Sequence, residues 1–397
     1  MPAIRDGRVT FELPDPHRRF GAVRLWTDIV LGEPRPDLDF ARVDDDWRLS
    51  IPLPPVDRLE YQFVARERGS APEPEPGATE PSATEPSATE PGATEPGPEP
   101  ELGAEIYLLD PGNPRRVGGA FGDHSELALP GYQAPAWLTA EPLAADRHEY
   151  TLDTRVGPID LQVWSPHGLG SDRPAPLLLA HDGSEFDVLA GLTHAVGAAI
   201  GFGRLPAHRI ALLAPGARDE RYAANDDYAH ALCREVIPAL AQAHRVSGPP
   251  TLMGASLGGL AALHAHWRHP GTLGGLFLAS GSFFTPHLDP QESGYRFFDD
   301  IAAFVAEVGA TPPDAPAARE LPALTMVCGT AEENLANNEE LRGALGRWGD
   351  VGWGTVRDGH CYTCWRDLLD PHLIELLARV AGEPPLPAHS AAQGHLE

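Results

Sequence analysis

The chain has 397 residues, with 57 acidic against 30 basic side chains and a formal net charge of -27 at pH 7. This length can hold two domains, one of them with a sizeable core. The negative charge argues against nucleic acid and anionic membrane surfaces as partners.

From the amino terminus, residues 8–13, 22–26, 47–53 and 60–65 alternate or cluster apolar side chains, and Pro, Asp and Gly separate them. Such runs predict short strands of a small antiparallel β-sandwich, here over residues 1–140. A five-residue repeat of the form Ala-Thr-Glu-Pro-Ser/Gly interrupts it at about residues 70–102. Its side chains cannot build a core, and its regular prolines forbid a helix, so it is expected to be a disordered loop. Residues 61–65 before it and 105–109 after it are expected to pair as strands across it. Closing so long a loop costs little extra entropy.

Residues 145–382 read as an α/β unit, and residues 383–397 as a disordered tail. The apolar run 177–180 predicts a buried strand, and His181-Asp182-Gly183-Ser184 follows it. Gly183 permits a sharp turn, which would aim the Ser184 N–H inward as one oxyanion donor. After a strand over 209–214, Arg218 and Arg221 stand on a loop at the same end of the sheet.

Gly254-Ala255-Ser256-Leu257-Gly258 lies between an apolar strand and an Ala/Leu-rich segment with helical character. A G-x-S-x-G in that setting is a nucleophile elbow, with Ser256 as nucleophile and the Leu257 N–H as the second oxyanion donor. Residues 324–328 predict a further strand, running into Gly329-Thr330-Ala331-Glu332-Glu333. A carboxylate there can orient a histidine. Glu332 is preferred as that acid, with Glu333 as the alternative. A last strand over 351–356 is followed by Arg357-Asp358-Gly359-His360 and then a helix over 365–380. His360 is therefore the expected general base, on a loop at the carboxyl end of a strand. Histidines 264, 266 and 269 belong to the helix behind Ser256 and are expected to face neighbouring helices or solvent.

Cys361 and Cys364 form a C-x-x-C, but no second ligand pair accompanies it, so the sequence predicts neither metal nor cofactor. Four cysteines do not make a secreted disulfide framework. The first residues lack an apolar signal core, and no apolar run approaches a membrane span. A cytoplasmic location is expected.

These motifs resemble the enterochelin (enterobactin) esterases within the esterase-D-like branch of the α/β-hydrolases. The resemblance rests on Asp182-Gly183, Arg218 through Asn225, the elbow, Ala279-Ser280-Gly281-Ser282-Phe283, Gly329 through Glu333, and Asp358-Gly359-His360 with Cys364-Trp365-Arg366. It implies an α/β-hydrolase (a mostly parallel sheet with helices on both faces) preceded by a small immunoglobulin-like β-sandwich. It also implies Ser256, His360 and Glu332 or Glu333 as a triad, with Ser184 and Leu257 as oxyanion donors. One departure is Arg221, where the family segment often carries an acid. The expected activity is hydrolysis of a catecholate siderophore ester, ferric or free, which would release iron in the cytoplasm. A general carboxylesterase or acyltransferase acting on another small ester is the alternative. Because a ferric catecholate is an anion, a local positive patch is expected, with Arg218 and Arg221 as substrate contacts.

Overall fold

The computed structural model describes residues 1–31, 35–68 and 102–382. The Ala-Thr-Glu-Pro repeat and the segment 383–397 lie outside the described residues. Alternating burial organises the amino-terminal strands. These are β1 (Ala3–Arg5), β2 (Arg8–Pro14), β3 (Phe20–Thr27), β4 (Ala41–Val43), β5 (Asp46–Pro52), β6 (Arg58–Arg68), β7 (Leu102–Leu108), β8 (Arg116–Gly119) and β9 (Gly122–Ala128). One antiparallel sheet runs β1-β2-β5-β4; a second runs β3-β6-β9-β8, and β7 also pairs with β6. In β2, Val9, Phe11 and Leu13 turn inward while Thr10 and Glu12 turn out, as the two-residue period of a strand requires. Phe11 meets Tyr61 of β6 edge-on, with ring centroids 5.0 Å apart, so the two sheets share one core. The pairing expected across the repeat is present: Val64 opposes Tyr107 and Ala65 opposes Ile106.

Eight further strands form one mixed sheet: β10 (Ala145–Thr154), β11 (Gly157–Pro166), β12 (Leu177–Ala180), β13 (Arg209–Leu213), β14 (Thr251–Ala255), β15 (Gly275–Ala279), β16 (Ala323–Gly329) and β17 (Val351–Val356). Their order is β10-β11-β13-β12-β14-β15-β16-β17. The hairpin β10–β11 joins antiparallel, and the strands from β13 to β17 run parallel. Parallel strands buried on both faces read as continuous apolar runs. In β12, Leu177 and Leu179 face one core, whereas Leu178 and Ala180 face the other. The helices Leu257–Arg268, Phe298–Ala310 and Leu335–Leu345 cover the first face. Gly183–Ala190, Leu192–Gly201, Tyr362–Leu368 and Ile374–Val380 cover the second. This is the α/β-hydrolase fold. The single helix expected over 365–380 is broken at Asp370, whose backbone is not helical and which precedes Pro371. No described helix is long and apolar enough to cross a membrane.

A buried ion cluster joins the two halves. Arg58 of β6 is fully buried and donates to the Asp358 carboxylate just beyond β17. Glu60 and Glu126 lie 3.7 and 3.5 Å from the same guanidinium. Backbone bonds reinforce the contact: Asp57 N–H donates to the Arg357 carbonyl, and Val30 N–H to that of Ala331. Removing one partner of a buried pair leaves the other charge without compensation. Arg58→Ala is therefore expected to lower unfolding stability by roughly 3–5 kcal/mol, measured by chemical denaturation. A loss below about 1 kcal/mol, the scale of an exposed pair, would show that the contact does not hold the halves together.

Candidate active site

Ser256 occupies the turn between β14 and the helix Leu257–Arg268, with φ 54° and ψ -126°. A non-glycine residue rarely adopts this conformation, and the neighbouring glycines make room for it. A Cβ on Gly254 would lie 2.3 Å from the backbone of Gly258. The turn is tied down from both sides: Ser256 N–H donates to the Ala279 carbonyl, and Ser282 N–H to the Ser256 carbonyl. The Ser256 hydroxyl lies 3.1 Å from that of Ser282. Leu257 opens the helix, so its N–H has no partner one turn back.

Glu332 and His360 meet beside this turn. His360 Nδ1 is 2.5 Å from Glu332 Oε2. The other oxygen, Oε1, accepts from Ser280 Oγ at 2.6 Å, Gly329 N–H at 2.6 Å and Cys328 Sγ at 3.2 Å. Trp365 supports the pair twice, since its indole N–H donates to Ser280 Oγ and its ring stands edge-on to His360. Glu333, the alternative acid, is exposed and takes no part in this bonding. Ser256, Glu332 and His360 thus follow the carboxyl ends of β14, β16 and β17 and converge on one cavity of about 420 Å³. Chemically, the set offers a hydroxyl on a strained turn, an imidazole with one free nitrogen, and a buried carboxylate fixing the other nitrogen.

The expected oxyanion donors are placed unequally. Leu257 lines the cavity. Ser184 is exposed, second in the helix Gly183–Ala190, and it is Asp182 and Glu185 that line the adjoining space of about 500 Å³. Before them, His181 is fully buried and bonds through Nδ1 to the Gly258 carbonyl; burial pushes its imidazole down to about 4.

The arginines depart from expectation. Arg221 is buried and spends its guanidinium on the carbonyls of Val156, Pro158 and Pro215, so it pins a loop and does not reach the cavity. Its expected role as a substrate contact is corrected accordingly. Arg218 does line the larger space beside Ser256 and His360, but it grips Asp182 through two bonds of 3.0 and 2.9 Å. The expected positive patch is therefore replaced by carboxylates: Asp28, Glu292, Glu332 and Glu333 line the cavity at Ser256.

Several contributors were not singled out in the sequence. Ser280 has φ 45° and links Glu332 to Trp365; its place in the Ala-Ser-Gly-Ser-Phe run was the available signal. Asn338 exchanges bonds with the backbone of Gly281, holding the same loop. The amino-terminal sheets supply Asp28, Trp26 and Phe121 to the cavity walls. Asp28, Glu60 and Cys361 bring ligand-type atoms within 4.8 Å of one another. In that group Glu60 already bonds His124 through one oxygen and Thr363 through the other. Burial, then the charges of Glu60 and Asp358, raise the Asp28 carboxyl well above the usual range. Both oxygens of Glu60 are thus already engaged by protein donors, which leaves this group short of free ligand atoms.

Comparison with known proteins fits this geometry. The family model described as "Putative esterase" matches residues 156–373, more than half of the chain. No curated protein matches the sequence. Among solved structures, the ferric enterobactin esterase of Salmonella typhimurium is 22% identical with a TM-score of 0.70, over 96% of each chain. The enterobactin esterase of Shigella flexneri, solved in the presence of enterobactin, is 18% identical with a TM-score of 0.69, over 96% of this chain and 95% of that one. A ferulic acid esterase is 18% identical with a TM-score of 0.51, over 60% of this chain and 99% of that one. At such identities the structures share the fold. The family match carries the assignment: the chain belongs to this esterase family and is a carboxylic ester hydrolase.

Proposed function

We propose that the chain is a serine esterase that hydrolyses the ester bonds of a catecholate siderophore or its linear fragments. The observation that carries the serine mechanism is the convergence of Ser256, His360 and buried Glu332 on one cavity. Ser256 Oγ attacks the ester carbonyl carbon, and His360 Nε2 takes its proton. The tetrahedral oxyanion faces the Leu257 N–H, with Ser184 N–H in the first turn of the neighbouring helix as second donor. Collapse breaks the bond to the alcohol, which leaves with the proton from His360. Water then repeats the sequence on the acyl-enzyme and frees Ser256. Glu332 holds the Nδ1 proton and so fixes the tautomer. The Ser256 hydroxyl, now bonded to Ser282, turns to the imidazole when substrate enters, since such bonds commonly tighten only in the bound complex.

Support for an aromatic substrate comes from Trp26, Phe121, Tyr362 and Trp365, which line the space beside Ser256. Two of the solved relatives are enterobactin esterases. Iron would be released only where a ferric form of the ester is accepted, and four buried, unpaired thiols support the cytoplasm as the compartment. In this reading residues 1–140 form an immunoglobulin-like sandwich domain and residues 145–382 the catalytic domain. The second reading, a general carboxylesterase or acyltransferase, is favoured by the carboxylates around the cavity, which have the wrong sign for a ferric tris-catecholate.

Ser256→Ala is expected to cut turnover of a nitrophenyl ester by several orders of magnitude while leaving the circular dichroism spectrum unchanged. An active mutant would end the serine reading. The acid is tested separately. Glu332→Gln is expected to lower kcat by about 100-fold or more, because an amide cannot hold the imidazole in the same tautomer or stabilise its charged form. Glu333→Gln is expected to keep kcat for the same neutral ester within about threefold, as a surface change does. The reverse ranking would move the role to Glu333.

A further inference from the structure

The charges around Ser256 carry a statement about which esters the site accepts. The cavity at Ser256 is lined by Asp28, Glu292, Glu332 and Glu333, and the basic group among its lining residues is His360, already engaged with Glu332. In the adjoining space Glu185 adds another carboxylate, with one oxygen buried and unpartnered. The guanidinium there, Arg218, is matched by Asp182. Among the described residues, no ion pair joins Glu185, Glu292 or Glu333 to a cation. These carboxylates also sense one another: burial, then the charges of Glu333 and Asp289, raise the Glu292 carboxyl above its usual range. A cleft lined by one sign of charge focuses its field on whatever enters.

We propose that this site selects its substrate by charge, accepting neutral and cationic aryl esters and rejecting anionic ones, with Glu292 and Glu333 as specificity-determining residues. The inference rests on the serine-esterase reading but not on the identity of the ester. Applied to a catecholate trilactone, it assigns the metal-free form as substrate, because its catechols are largely protonated at neutral pH. The ferric complex carries surplus phenolate charge and meets the same carboxylates as an anion. Aromatic contacts would be shared by both forms, so charge is what separates them.

The test uses the full chain and three acetate esters of similar size: phenyl acetate, the cationic 3-acetoxy-trimethylanilinium ion and the anionic 3-acetoxybenzenesulfonate. The expected order of kcat/KM, corrected for the intrinsic reactivity of each ester, is cation, neutral, anion, with at least about tenfold between the extremes. Glu292→Gln and Glu333→Gln are each expected to move the anion-to-cation ratio toward the anion on the order of fivefold, and salt should move it the same way. Glu333 is exposed and Glu292 half-buried, and neither is held in an ion pair among the described residues, so the variants should fold. An anion hydrolysed as well as the cation, or a ratio that neither salt nor the two variants shift, would overturn the proposal. A metal-free trilactone and its ferric complex are then compared. Faster hydrolysis of the ferric form would overturn the proposal for this substrate class. Failure with both trilactones, alongside the expected order for the acetates, would remove the siderophore reading and leave charge selection standing.

Discussion

The placement of His360 and Glu332 depends on one buried guanidinium. Arg58 sits on an amino-terminal strand and binds Asp358, two residues before His360. Burying a cation is costly unless its partners are buried with it, and Asp358 and Glu60 are both about 1% exposed. The histidine loop cannot move without uncovering that charge. Gly359 lets the loop come close, since a Cβ there would lie 2.4 Å from the Asp28 carbonyl. The Glu332 loop is laced into the same contact. Ala331 donates its N–H to the Asp358 carbonyl and accepts from Val30 through its own. The Glu332 and His360 loops and the amino-terminal sheets therefore form one bonded unit.

That unit gives His360 a fixed direction. Glu332 accepts from His360, Ser280, Gly329 and Cys328, so neither of its oxygens is free to swing. Ser280, like Ser256, follows a strand and has a positive φ. Each such residue costs on the order of 1–3 kcal/mol, so both persist only where their surroundings over-determine them. Ser256 is held by Ala279 and Ser282, and Ser280 by Val327, Glu332 and Trp365. The strain lies at the carboxyl ends of β14 and β15, where the site is, and the bonded loops hold it in place.

The parts legible in the sequence were those with local physical causes. Gly254 and Gly258 announce the elbow because backbone touches backbone there. Continuous apolar runs announce the parallel strands, and alternation announces β2 and β5. The hairpin β10–β11 went unread because no residue of its outer strand is fully buried and the strand carries little apolar pattern. Glu332 and Glu333 could be told apart only by the direction each side chain takes after β16. The Arg58–Asp358 contact spans 300 positions, and no local pattern links its two ends. Asp28 and Phe121 reach the cavity through the packing of one half on the other, which the sequence does not express.

The arginines show why charge near a site in sequence is a poor guide to charge in the site. This chain has no lysine, and several of its arginines are used as internal fasteners. Arg209 is fully buried and donates to the carbonyls of Gly170, Arg173 and Arg245. Arg221 does the same for three other carbonyls, and Arg58 gathers carboxylates. A planar fork of donors suits such work, because one side chain can satisfy several acceptors that burial would otherwise leave unpaired. Each cation spent inside is one fewer at the surface, and the chain already carries an excess of acid. The negative lining around Ser256 thus follows from how the scaffold is fastened. Arg218, the guanidinium that does reach the site, arrives with Asp182 attached, and so brings shape and donors without net charge.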